Sequence, residues 1–258
     1  MLQQTQVERV LPKYRAFLKR FPNFEALAAA SLADVVREWR GLGYNSRAVR
    51  LKRIAETIVK RFDGAMPHDA ETLRTLPGIG AYTAAAVRAF AFSYDDAAVD
   101  TNVRRVIHRV MHGLEHPPAV CVAELDREAR DFVPRGRAHD WNSALMDLGA
   151  TICTARAPKC AVCPLQELCV AAPLDAAALH HARPKRPGVP FERTTRFARG
   201  RIIDRLRRLP AGKRISLLVL QRELAMLERT PDELGAIVES LARDGLVRVR
   251  GRQVALRE

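Results

Sequence analysis

A chain of 258 residues is long enough for one large domain or two to three small ones, with a sizeable core. Its 43 Lys and Arg against 29 Asp and Glu leave a formal charge of +14, a surplus that points to a polyanionic partner. No run of about 18 apolar residues occurs, so no membrane-spanning helix is expected, and the opening Gln3, Gln4 and Thr5 lack the charged-then-apolar order of a signal peptide.

Few aromatic residues and many Ala and Leu predict a helical protein, and the elements follow one another to about residue 172. Val7, Val10, Leu11, Tyr14 and Leu18 recur at three- and four-residue steps, the stripe of a first helix ending before Phe21-Pro22. Leu32 to Trp39 reads as a short helix with Ser31 as N-cap. Ser46 to Phe62 reads as a longer one with Arg47, Arg50, Lys52 and Arg53 on its exposed side. A Gly64-to-Pro67 break, a short helix through Leu73 and the turn Leu76-Pro77-Gly78-Ile79-Gly80 come next. Ala81 to Phe92 is small and apolar enough to predict a buried helix. Asn102–Met111, Val120–Phe132 and Ala138–Ile152 complete the helical part. Pro184, Pro187 and Pro190 mark a linker. Beyond it, Phe197–Leu206, Leu217–Met226 and Pro231–Ala242 read as helices, and 246–250 with 253–256 as a β-hairpin around Gly251. That order is the order of a winged-helix module, whose role the pattern leaves open.

Cys153, Cys160, Cys163 and Cys169 are spaced Cys-x6-Cys-x2-Cys-x5-Cys. Four thiolates in so short a segment can wrap one metal centre. Only Cys160 and Cys163 form the knuckle that zinc usually takes in pairs, so the spacing favours a [4Fe–4S] cluster over zinc, and either over two disulfides. Cys121 stands apart and reads as a buried thiol. In the turn Leu76 to Gly80, two glycines flank one apolar residue between helices. Such a turn can present backbone N–H groups as a concave phosphate site, or serve as structure alone. Asp100, before the helix that starts near Asn102, reads on its own as an N-cap.

Taken in order, the runs MLQQTQV (1–7), GLGY (41–44), LPGIGAYTAAAV (76–87), VDTNVRRV (99–106), MDLGATIC (146–153) and the cysteine loop carry a resemblance. The chain resembles the helix-hairpin-helix DNA glycosylases of the endonuclease III superfamily that carry an iron–sulfur cluster, and within them the adenine-specific branch. The resemblance covers about residues 1 to 172. It implies an all-α glycosylase fold in which residues 1–98 belong to a helical barrel carrying the helix-hairpin-helix, and 99–172 to a helical domain with the cluster loop. A linker over 173–192 and a winged-helix-like α+β module over 193–258 would follow.

What the resemblance implies for function is base excision: a monofunctional N-glycosylase that flips adenine, mispaired with 8-oxoguanine or guanine, out of the duplex and hydrolyses its bond to deoxyribose. Such cleavage passes through a cationic sugar and needs an anion beside it. Asp100 corresponds to that carboxylate, Tyr82 to a tyrosine beside it, and Asn102 to an active-site asparagine. Related glycosylase/lyases have a Schiff-base lysine where Tyr82 stands, and a phenol forms no imine, so strong lyase activity is not expected. Gln3, Gln4 and Thr5 correspond to a loop that enters the gap left by the flipped base, and Tyr44 to a wedge beside the orphaned one. Gly78 and Gly80 would cradle a phosphate, and Cys153, Cys160, Cys163 and Cys169 would hold a [4Fe–4S] cluster.

The sequence departs from this pattern in three places. The family's general-acid Glu falls two residues ahead of Met1, so the chain reads as N-terminally truncated and its own excision activity is expected to be impaired. The residue that reads adenine in many members falls at Ser143, a shorter side chain. The hydrolase-like domain of longer members is not expected. Two rival readings follow: a mismatch thymine glycosylase of the same superfamily, and a non-catalytic iron–sulfur DNA-binding protein. The expected partner is double-stranded DNA with a mispair or an oxidised guanine, met by a cytoplasmic, nucleoid-associated monomer.

Overall fold

The computed structural model of the protein describes residues 1–2, 5–113, 122–172, 189–224 and 229–258. Gln3, Gln4, Cys121, Met226 and the linker prolines Pro184 and Pro187 lie outside them. The fold is mostly helical, with a small sheet near the C-terminus. It forms two compact units, one of residues 1–66 with 187–258 and one of residues 67–186. These borders differ from those drawn on the sequence at 98, 172 and 192.

The first unit contains α1 (Val7–Arg20), α2 (Phe24–Ala29), α3 (Leu32–Glu38) and α4 (Ser46–Phe62). Asn23 caps α2 through a bond from the Ala26 N–H, and Ser31 caps α3 through the Asp34 N–H. Of the α1 stripe, Val10 points inward while Val7, Leu11, Tyr14 and Leu18 stay exposed; Phe17 supplies the other inward anchor. Phe17 packs edge-on against Phe21 and Trp39. On α4, Ala48, Val49, Ala55 and Ile58 are buried. Only Arg50 and Arg53 of its four expected surface cations are exposed. Arg47 and Lys52 turn inward because backbone carbonyls await them: Leu42 for Arg47 and Ala28 for Lys52.

The same unit continues with α10 (Thr195–Arg207), β1 (Ile215–Ser216), α11 (Leu217–Glu223), α12 (Pro231–Arg243), β2 (Val247–Arg250) and β3 (Gln253–Leu256). The sheet is antiparallel in the order β1-β3-β2, with Ile215 opposite Val254 and Val247 opposite Leu256. β1 has two residues, too few for a period-two pattern to announce it. This is the winged-helix-like module, and it shares an apolar core with the N-terminal helices: Ile202, Ile203, Leu206 and Leu241 belong to one cluster with Phe17, Val36 and Trp39. Arg207 fastens the two parts. Its guanidinium is paired with Asp204 and donates to the Val36 carbonyl at 2.9 Å and to Asn45 Oδ1 at 2.7 Å.

The second unit holds α5 (Ala70–Thr75), α6 (Ala81–Phe92), α7 (Thr101–His112), α8 (Val122–Asp131) and α9 (Ala138–Thr151). Asp69 caps α5 through the Thr72 N–H, and Leu76 to Gly80 joins α5 to α6 as a helix-hairpin-helix. A small cluster of Ala97, Val99, Val103, Ile107, Leu125 and Ala129 forms its core. α6 is not the buried helix its composition suggested. Ala84 and Ala89 are its buried residues, whereas Tyr82 and Phe90 are exposed. Small side chains let a helix pack closely on one side without requiring cover on the other.

Candidate functional site

Asp100 is the N-cap of α7: its Oδ1 accepts from the N–H groups of Asn102 and Val103, both at 2.8 Å. The cap reading and a chemical role are compatible, because capping uses one oxygen. Oδ2 has no hydrogen-bond partner among the described residues. Two backbone donors therefore hold the carboxylate in a single orientation with one oxygen to spare. Tyr82, in the first turn of α6, lies within the field of that carboxylate. Although 37% of its surface is exposed, its phenol is pushed above the ordinary tyrosine range, first by the burial of the remainder and then by the charge of Asp100. It stays a neutral O–H at physiological pH.

The segment leading into Asp100 is held on both sides. Asn142 on α9 is fully buried; its Oδ1 accepts from the Ala98 N–H at 2.7 Å, and its Nδ2 donates to the carbonyls of Asp96 at 2.9 Å and Ala138 at 2.8 Å. Arg88 of α6 pairs with the Asp96 carboxylate, donates to the His68 carbonyl at 2.6 Å and lies over the Tyr94 ring. Neither Asn142 nor Arg88 figured in the sequence reading, although an Asn on the apolar side of a helix is a visible irregularity. Ser143, the expected base reader, is the next residue along α9 and only half-buried.

Asn102 is engaged by Arg105, one turn further along α7. Arg105 Nη2 donates to Asn102 Oδ1 at 3.0 Å and to the Gly149 carbonyl at 2.6 Å, while its Nε donates to the Cys153 carbonyl at 2.9 Å. One guanidinium thus touches Asn102, α9 and the first cysteine. Gly149 makes this approach possible, since a Cβ there would stand 2.7 Å from Asn102 Cβ and 3.2 Å from its backbone.

The four cysteines are half-buried and line one cavity together with Val106, Leu148, Ile152 and Leu165. Arg109, 1% exposed, spans the entry to this loop: Nη1 donates to Cys153 Sγ at 3.4 Å and to the Thr154 carbonyl at 2.8 Å, and Nη2 to the Ala155 carbonyl at 3.2 Å. Four cysteines on the wall of one cavity, apolar neighbours and an N–H donor aimed at the Cys153 sulfur suit a thiolate-ligated cluster of net negative charge, although as placed no three of the described side chains stand close enough together to hold a metal ion. Arg156 and Lys159 are exposed on the same loop.

At the hairpin, Gly78 has φ +82°, which favours glycine, and Leu76 and Ile79 are buried and anchor the turn. Gly80 is the N-cap of α6 with no side chain capping it, and a Cβ at this position would meet nothing within 4 Å. The N-cap position therefore carries no side chain that would compete with a phosphate oxygen for the N-terminus of the helix.

In the first unit, the turn Gly41–Tyr44 has three left-handed residues: Gly41 at +90°, Gly43 at +69° and Tyr44 at +44°. Tyr44 is 39% exposed, so it is not a core residue. Thr5 Oγ1 donates to the Leu42 carbonyl at 3.1 Å and accepts from Arg47 Nη2 at 3.1 Å, which ties the N-terminal segment to this turn. Of the expected opposite-strand loop, Thr5 alone falls among the described residues.

Residues 1–124 match the model of the HhH-GPD superfamily of base excision DNA repair proteins, and residues 153–169 that of the iron–sulfur binding domain of endonuclease III. The second match begins at Cys153 and ends at Cys169. The chain is 41% identical over 257 residues to the adenine DNA glycosylase of Mycolicibacterium smegmatis, an alignment covering 96% of this chain and 81% of that one. The adenine DNA glycosylase of Mycobacterium tuberculosis is 40% identical over 254 residues, covering 96% and 79%. Among solved structures, a thermostable thymine-DNA glycosylase is similar with a TM-score of 0.61 and 32% identity, over 66% of this chain and 79% of that one. A trapped endonuclease III–DNA covalent intermediate gives 0.58 and 25%, over 65% and 78%.

Proposed function

This chain belongs to the HhH-GPD superfamily of base excision DNA repair proteins, and on that premise we propose that it excises adenine mispaired with 8-oxoguanine or guanine. It is a DNA-binding N-glycosylase and carries a [4Fe–4S] cluster. The observation that carries the proposal is the Asp100 carboxylate, fixed by two N–H donors through Oδ1, with Oδ2 left over and its charge felt at Tyr82.

Cleavage of a nucleoside C–N bond builds positive charge on the sugar, and a fixed carboxylate stabilises that charge without reorganising during the reaction. In this reading Asp100 faces C1′ of the extruded nucleotide. The neutral Tyr82 hydroxyl serves as a hydrogen-bond group at its edge, and Asn102, oriented by Arg105, positions the attacking water. Ser143 stands on the helix that would meet the flipped base. Tyr82 has no amine and forms no imine, so the reaction ends at hydrolysis. Gly78 and Gly80 offer backbone N–H groups to a phosphate. Gln3, Gln4, Thr5 and Tyr44 would contact the strand opposite the lesion. Cys153, Cys160, Cys163 and Cys169 would hold the cluster, whose contribution is structural: it orders the loop that presents Arg156 and Lys159 to the backbone. The protein would act as a monomer.

The test is a panel of duplexes carrying A opposite 8-oxoguanine, A opposite G, and T opposite G, incubated with the purified protein. Excision of adenine alone supports the proposal. Excision of thymine alone establishes the rival reading that the thymine-DNA glycosylase likeness keeps in view. Binding without excision of any base overturns the enzymatic role.

A further inference from the structure

The winged-helix-like module is gripped to the Gly41–Tyr44 turn at two neighbouring residues. Arg207 of α10 donates to Asn45 Oδ1 at 2.7 Å and to the Val36 carbonyl at 2.9 Å. One residue earlier in the turn, the guanidinium carbon of Arg196, in the first turn of the same helix, lies 4.2 Å from the Tyr44 ring centroid. Arg196 also approaches the exposed Phe191 ring at 5.9 Å. These contacts lie within a single compact unit.

Tyr44 is an unusual residue to find here. Its backbone is left-handed, which is strained for a residue with a Cβ, and its ring lies outside the core, flanked by two guanidiniums: Arg196 at 4.2 Å and, further off, Arg47 at 5.7 Å from the ring centroid. A ring that works by filling space beside an unstacked base has to be rigid before the DNA arrives, since ordering it on binding weakens affinity. A cation over an aromatic face is attracted by the ring's negative face and restricts its rotation.

We propose that Arg196 is a positioning residue for Tyr44, and that the winged-helix-like module serves to brace this aromatic ring rather than to read DNA itself. The inference rests on the reading of Tyr44 as a group that meets the strand opposite the lesion. It assigns the C-terminal module a place in lesion recognition that requires no contact between Arg196 and DNA. The energy available to a partly exposed cation–π contact corresponds to about two- to five-fold in affinity.

The experiment is a double-mutant cycle on the full chain with its cluster in place. It reads dissociation constants for a duplex with an abasic-site analogue opposite 8-oxoguanine and for an undamaged duplex of the same sequence. Arg196→Ala is expected to weaken the lesion duplex about two- to five-fold and leave the undamaged duplex unchanged. In a Tyr44→Ala background the same substitution adds nothing, and Arg196→Lys, which keeps a cation over the ring, restores part of the loss. Should Arg196→Ala fail to fold, Arg196→Gln replaces it, removing the charge while keeping most of the stem. Equal loss on both duplexes with a shallower salt dependence would make Arg196 a phosphate contact and overturn the inference. So would a loss that persists in full without Tyr44. If the unsubstituted protein shows no preference for the lesion duplex, the functional reading itself fails and takes the inference with it. Preference with additive losses sinks the inference alone.

Discussion

Asn142→Ala gives the sharpest test of how the second unit supports Asp100. Asn142 is completely buried and serves two backbone groups that have no other hydrogen-bond partner among the described residues: the Ala98 N–H at 2.7 Å and the Asp96 carbonyl at 2.9 Å. Its third bond, to the Ala138 carbonyl, is less costly to lose because that carbonyl sits in the first turn of α9 and keeps a helical partner. Truncation therefore strands one buried donor and one acceptor, each costing about 1–3 kcal/mol, for a total loss of about 2–6 kcal/mol. Residues 96–98 run directly into Val99 and Asp100, so slackening them moves the carboxylate. A misplacement of roughly 1 Å costs on the order of 100-fold in rate. Urea denaturation and single-turnover excision of adenine read the two effects separately. Asn142→Asp adds a check on the cause. Its carboxyl can still accept from Ala98 but faces two carbonyls, so burial and those neighbours raise its folded pKa above the unfolded value of about 3.9. The variant should thus hold its stability below that unfolded pKa and lose it, relative to the parent, as pH rises through the folded value. A variant Asn142→Ala that unfolds within about 0.5 kcal/mol of the parent, below what one stranded buried group costs, would refute the reasoning.

Four further outcomes are expected. Gly149→Ala sets a Cβ 2.7 Å from Asn102 Cβ, forcing α7 from α9; it should cost about 1–3 kcal/mol in urea denaturation and slow excision. Arg105→Ala frees Asn102 and the Cys153 carbonyl together, so slower excision should accompany faster loss of visible iron–sulfur absorbance, whereas Arg105→Lys restores one of the two at most. Cys160→Ser should abolish that absorbance and lower the melting temperature, as measured by spectrophotometry and calorimetry. In an ultraviolet titration one phenol should ionise later than the others and vanish in Tyr82→Phe. Because the folded pKa of Tyr82 is raised, stability should be full below the unfolded value of about 10 and fall as pH climbs through the folded one, a slope absent in the variant.

Much of this protein is legible in its linear order because the signals are local. The Ser31 and Asp100 caps, the glycines of the 76–80 and 41–44 turns and the cysteine spacing act within a few residues of where they are written. The elements between residues 31 and 112 fall within two residues of where the sequence places them, the short helix expected to end at Leu73 running on to Thr75. What stayed hidden is long-range. Nothing near Asn142 announces that it holds residues 96–98, and nothing near Arg105 shows that it joins Asn102 to Cys153. Arg47 and Lys52 read as surface cations until the carbonyls of Leu42 and Ala28 come into place.

The sequence alone determined the helical class, the cluster-bearing loop and the carboxylate in front of α7, since each depends on neighbours a few bonds away. Tertiary structure decided which polar side chains bridge those pieces, and it decided that the C-terminal module shares a core with the first helices instead of standing apart beyond its linker. Burial and geometry across more than a hundred residues settle such matters: Arg207 finds Val36 and Asn45 only once both segments have folded.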